Sequence, residues 1–108
     1  MNHTTHAIIS LLVLVSTTVA TAKDTPSAEQ GKKLFNSTSL GTNGKSCATC
    51  HPNGKRLDYI ADHNEKTLQT LVNGCIVKAL KGKSFSDDSP ELGSIVMYLN
   101  TLNKADPK

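Results

Sequence analysis

Cys47, Ala48, Thr49, Cys50 and His51 form a C-x-x-C-H run, the attachment signal of a c-type haem. The chemistry explains the spacing. Two thiols three positions apart can each add to one vinyl group of the same porphyrin. His51, next in the chain, then reaches the iron from one face. The run therefore implies one covalently bound haem c and a proximal iron ligand, His51. It leaves the second axial position open, and the residue that fills it sets the chemistry.

Few side chains qualify. Met1, His3 and His6 fall in a leader segment that is expected to be removed. Beyond it the chain holds one other histidine, His63, one methionine, Met97, and one further cysteine, Cys75. Met97 suits iron by type. At about 100° per residue it lies roughly 140° from Leu92, off the apolar stripe of its helix, so it is expected at the surface. His63 stands between Asp62 and Asn64 and is expected in a solvent-facing turn. Cys75 lies in the middle of an apolar helical stripe and is expected to face the core. A free cysteine in such a place is usually a small buried hydrophobe. Iron offers it a second role, because a metal lowers the thiol pKa and holds the thiolate. Cys75 is the expected distal ligand, with Met97 and His63 as the lesser alternatives.

The elements that must position these residues are helices. Ser27 and Gln30 have the spacing of a capping box before a helix over 28–35. Residues 36–45 are polar, with Gly41 and Gly44, and read as a loop into the motif. Pro52-Asn53-Gly54 turns the chain away from it. Asn64 is the expected N-cap of a second helix, with Glu65 in its first turn. Leu68, Leu71, Val72, Cys75, Ile76, Ala79 and Leu80 follow at helical spacing, and Gly82 is the expected stop. Lys78, Lys81 and Lys83 gather there, where cations favour the helix dipole. Ser89 caps a third helix with Pro90 at its first position. Leu92, Ile95, Val96, Leu99 and Leu102 form its stripe. No strand pattern appears. The expected fold is all-α, a small helical domain wrapped around one haem.

Composition sets the context. A chain of 108 residues is expected to form one domain. The apolar run from Ala7 to Val15, followed by Ala20-Thr21-Ala22, looks like a signal peptide with an A-x-A-like cleavage site. It departs from the pattern in having no Lys or Arg between Met1 and His6. Residues 1–22 are expected to be cleaved, leaving a cytochrome-like domain over 23–108. The run is too short to span a membrane, so no stable membrane anchor is expected. The periplasm or an equivalent exported compartment is the expected location, with the mature protein soluble there. Trp is absent, and Phe35, Phe85, Tyr59 and Tyr98 are the only aromatics. A small chain buries only a modest core, and a porphyrin would add the missing apolar mass. The formal charge of +3 is too weak and scattered to suggest nucleic acid, but it suits an acidic redox partner.

A Lys-Leu-Phe helix, then C-x-x-C-H, then a last helix carrying Met-Tyr-Leu resembles a monohaem cytochrome c over nearly all of the expected mature chain. The resemblance implies that the first and last helices cross near the haem edge. Many such proteins place an axial Met in a loop before the last helix, and here 82–90 contains none. A second likeness concerns Asn73-Gly74-Cys75, Ala79-Leu80-Lys81-Gly82-Lys83 and Ser89-Pro90-Glu91-Leu92. These are similar to a stretch of the thiosulfate-handling cytochromes of the SoxA and thiosulfate dehydrogenase group. In that group the Cys of an N-x-C stretch is a distal haem ligand. The small chain also resembles the NaxLS-type cytochrome subunits of anammox metabolism, which have His/Cys ligation and bind NO and CO. Cys47, Cys50, His51 and Cys75 are the residues to which these likenesses extend.

Thiolate donation stabilises ferric iron and lowers the reduction potential. After reduction a protonated Cys75 could leave and give its place to NO or CO. The expected function is redox chemistry with diatomic-gas binding. No catalytic residue is expected, because no general acid or base adjoins Cys75. A stable six-coordinate electron carrier and a haem subunit of a sulfur-compound-oxidising complex are the alternatives. A redox partner protein is expected, and a homo- or heterodimer with another small cytochrome would cover an exposed haem edge. A zinc site of Cys47, Cys50, Cys75 and His63 has suitable ligand types, but it would leave His51 and the leader unexplained.

Overall fold

The computed structural model describes residues 25–104. The leader expected over 1–22 lies outside them. Among the described residues there is no strand. Four α-helices form: α1 over Ala28–Asn36, α2 over Cys47–Cys50, α3 over Glu65–Lys78 and α4 over Pro90–Lys104. Short 3₁₀ turns at Thr38–Leu40, Pro52–Gly54 and Asp58–Asp62 connect them. The all-α expectation holds for this region.

The helix starts follow from their caps. Ser27 Oγ accepts the Gln30 N–H at 3.1 Å, and Asn64 Oδ1 accepts the Thr67 N–H at 2.9 Å. Ser89 Oγ accepts the Leu92 N–H at 3.1 Å. Each satisfies a donor that the first helical turn leaves without a partner. The Ser27 N–H in turn donates to Ser94 Oγ at 3.0 Å, tying the start of α1 to α4.

α1 and α4 pack against each other at Gly31. A Cβ added there would fall 1.9 Å from the Ser94 carbonyl oxygen, so the crossing needs a bare backbone. One turn on, Phe35 and Tyr98 meet edge to face with ring centroids 5.3 Å apart, a favourable aromatic geometry. The core continues through Leu68, Val72 and Ile76 of α3, Leu80 beyond it, and Leu92, Ile95, Val96 and Leu99 of α4. Leu57 and Ile60, from the turn before α3, complete it.

Two expectations change. α3 ends at Lys78, and the left-handed residue after it is Lys81 (φ 57°), not Gly82. Gly82 is needed for close approach instead: an added Cβ would lie 1.9 Å from the Leu40 carbonyl oxygen. The helical stripe of α3 also divides. Leu68, Val72 and Ile76 are buried, whereas Leu71, Cys75 and Ala79 are exposed along one line of the helix. The expectation that Cys75 faces a closed core is therefore corrected. The seven positions span too wide an arc to fit under α4, so part of the stripe borders an open cleft.

Candidate functional site

The motif residues sit on a short, tightly held segment. The Ser46 N–H donates to Thr49 Oγ1 at 2.9 Å, fixing the first turn of α2. The His51 N–H closes it on the Cys47 carbonyl at 2.9 Å. The chain then reverses through Asn53 (φ 53°), Gly54 (φ 80°) and Arg56 (φ 66°), all left-handed. Glycine suits position 54 because its φ of 80° is a conformation that L side chains rarely adopt.

This reversal places two groups on the motif. His51 Nδ1 lies 2.9 Å from the Lys55 carbonyl oxygen. With Nδ1–H donating to that carbonyl, Nε2 carries the free lone pair, as in ligands whose tautomer a carbonyl fixes. The Arg56 guanidinium donates to the Cys50 carbonyl oxygen. Neither contact could be read from the motif, because both depend on the left-handed turn that follows it.

Cys47, Cys50 and His51 border a cleft of about 670 Å³, counting the space at its mouth. Leu68, Leu71, Val72, Cys75 and Ala79 of α3 form another wall. Ile95 and Leu99 of α4, Phe35 of α1, and Leu57, Tyr59 and Ile60 close it further. The lining is overwhelmingly apolar, as the walls of small-molecule and cofactor sites are. Leu57, Tyr59 and Ile60 were not expected at the site. Their only signal was the Leu57–Ile60 spacing, too short to mark an element.

The structure thus brings Cys47, Cys50, His51 and Cys75 to one cleft. It does not bring Met97 or His63 there. Met97 is 44% exposed and lies outside the lining. His63 is exposed, its ring edge-on to Tyr59 with centroids 6.0 Å apart. Burial pushes the Cys47 thiol up to about 11 from 9.0, and the charge of a nearby Cys75 thiolate adds to the rise. Among the described residues no group of three or more His, Cys, Asp or Glu side chains converges to hold a metal ion. The cysteines and His51 are distributed around a volume and do not meet at a point.

The segments on either side of α3 are tied to it. The loop before the motif is tied to the end of α3: the Thr42 N–H donates to the Leu80 carbonyl at 2.9 Å, and Asn43 Nδ2 to the Ala79 carbonyl at 2.8 Å. Behind α3, Asn73 grips the Phe85 backbone twice, accepting its N–H at 2.8 Å and donating to its carbonyl at 2.9 Å. Gln69 donates to the Asp87 carbonyl at 3.2 Å, and Lys66 pairs with the Asp87 carboxylate. The chain matches no family model, no curated protein and no solved structure.

Proposed function

We propose that the chain is an exported monohaem c-type cytochrome in which His51 and Cys75 would hold the haem iron. Its role is redox chemistry with binding of NO or CO, without substrate turnover. One observation carries the proposal: the C-x-x-C-H residues and Cys75 line the same apolar cleft. The residues present fit the group. An apolar wall suits a porphyrin, and sites distributed around a volume suit a cofactor held at its rim and over its faces. A tetrahedral zinc ion would need its ligands at one point. No described helix is long and apolar enough to cross a membrane.

When bound, haem would supply a one-electron couple and an iron site for diatomic ligands. The chain's part is to hold and tune it. Cys47 and Cys50 would form the thioethers. His51 would present Nε2, with Lys55 holding the ring through Nδ1. Cys75 would present sulfur from α3, and its exposure leaves it room to turn away once protonated. Phe35, Leu68, Val72 and Leu99 would keep water from the cleft floor.

The test is a pyridine haemochrome assay on the exported protein, followed by ferric EPR of wild type and Cys75→Ala. Covalent haem and a low-spin thiolate signature lost in Cys75→Ala are expected. A signature that survives the substitution would sink the Cys75 assignment. CO and NO are then added to the reduced protein. Indifference to both gases would leave only the electron-carrier role.

A further inference from the structure

The chain contains three Asn-Gly pairs: Asn43-Gly44, Asn53-Gly54 and Asn73-Gly74. Such a pair can react with itself, because glycine has no Cβ to bar its nitrogen from the preceding side-chain amide. The reaction needs no enzyme. The glycine nitrogen gives up its proton to solvent and attacks Cγ of the asparagine. A C–N bond forms, the Cγ–Nδ2 bond breaks, and Nδ2 leaves as ammonia. Water then opens the resulting succinimide. The product is aspartate or isoaspartate, and in the latter the main chain runs through Cβ and Cγ. Water enters, ammonia leaves, and no electrons are exchanged.

The fold treats the three pairs differently. The Asn43 amide is held at both ends: Nδ2 donates to the Ala79 carbonyl at 2.8 Å, and Oδ1 accepts the Lys45 N–H at 3.2 Å. The Asn73 amide is held likewise by the Phe85 backbone, at 2.8 and 2.9 Å. Gly74 also lies inside α3, with its N–H in the helical ladder. Asn53 is exposed, and among the described residues its side chain has no hydrogen-bond partner. Its backbone is left-handed (φ 53°, ψ 29°), which asparagine tolerates without preferring it. The bond from the Gly54 N–H to the His51 carbonyl, at 3.0 Å, is what opposes the attack.

Asn53 lies inside the loop that brings the Lys55 carbonyl within 2.9 Å of His51 Nδ1. Isoaspartate puts one more atom into the main chain of that loop and leaves a carboxylate beside Lys55 and Arg56. We propose that Asn53 is a site of spontaneous deamidation, and that its conversion to isoaspartate breaks the turn that orients His51. A consequence for haem rests on the haem proposal; the modification itself does not.

The full-length protein is aged at pH 8, and the three pairs are followed by peptide mapping, with electron-transfer fragmentation to separate isoaspartate from aspartate. Asn53 is expected to convert about tenfold or more faster than Asn43 and Asn73, whose amides must first lose two hydrogen bonds each. In urea the three rates are expected to converge. Similar rates in the folded protein, or a ratio that urea leaves unchanged, would overturn the assignment. The isoaspartate form is then expected to lose hydrogen-exchange protection at the Lys55 and Leu57 amides, whose acceptors are the Pro52 and Gly54 carbonyls. Asn53→Asp adds the same charge without the extra atom and is expected to keep that protection. Loss in both forms, or in neither, would overturn the effect on the turn. Both readouts are made on peptides and do not depend on haem, so failure here and failure of the haem assay are separate results.

Discussion

Arg56 takes a left-handed backbone (φ 66°) that a side chain of its size rarely adopts. Its guanidinium on the Cys50 carbonyl and the Lys55 carbonyl beside His51 both depend on that turn. Arg56→Ala keeps the strain and loses the hydrogen bond, whereas Arg56→Gly loses the bond but relieves the strain. Thermal unfolding should therefore place the glycine variant above the alanine variant by about 1 kcal/mol. Cys47 supports a prediction in pH. Its thiol in the folded, haem-free protein is raised to about 11 by burial, with Cys75 adding to it. Alkylation needs the thiolate. At pH 8 Cys47 should react about a hundredfold more slowly in the folded protein than in urea, the factor that follows from a rise of about two units. Mass-spectrometric mapping of the alkylated sites measures this. Equal rates would show that the thiol is not shielded. Because the folded value is the higher one, this thiol's contribution to stability is complete below pH 9 and is lost as pH rises through about 11.

At the scale of elements, two glycines in helices have opposite consequences. In α1, Gly31→Ala drives a Cβ into the Ser94 carbonyl, which is backbone and cannot swing aside. The α1–α4 crossing must open, at a cost of about 1–3 kcal/mol. In α3, Gly74→Ala meets nothing and should gain roughly 0.8–1 kcal/mol from helix propensity. Denaturant melts of the two variants should move in opposite directions from wild type, and movement in the same direction would refute the packing at one of them. These cases also show what sequence pattern conveys. The caps Ser27, Asn64 and Ser89 were legible because a cap is a local contact within three residues. The C-x-x-C-H run is likewise a local pattern, its cysteines and histidine lying within five residues. The division of the α3 stripe was not, because Leu71 and Leu68 are alike in composition and only the tertiary neighbours bury one and leave the other exposed. Gly82 misled because a glycine after a helix usually supplies the left-handed residue, whereas here Lys81 does so and Gly82 admits Leu40. The turn over Asp58–Asp62 carried too few apolar residues to show a period.

For the molecule as a whole, the cleft divides the apolar residues into two groups. One group seals itself: Ile76, Leu92 and Val96 are almost fully buried and form no part of the cleft wall. The other faces the cleft, with Tyr59 50% and Leu71 39% exposed, and it remains in contact with water until something fills the space. If haem is that occupant, filling the cleft by other means should have opposite effects with and without it. In a Cys47→Ala/Cys50→Ala background, which cannot attach haem, Cys75→Leu places new apolar volume against Leu71 and Ala79. That should raise stability by about 1 kcal/mol, at roughly 0.8 kcal/mol per methylene with only partial burial. For a domain of this size it corresponds to about 4–8 °C in Tm. The same substitution should also reduce binding of an apolar fluorescent dye. In the exported protein with its cysteines intact, Cys75→Leu competes with the porphyrin for space and removes the distal sulfur, so haem yield should fall and Tm should drop. Tm and haem absorbance measured on all four proteins decide the matter. A Cys75→Leu effect of the same sign in both backgrounds would show that the cleft is not a haem site.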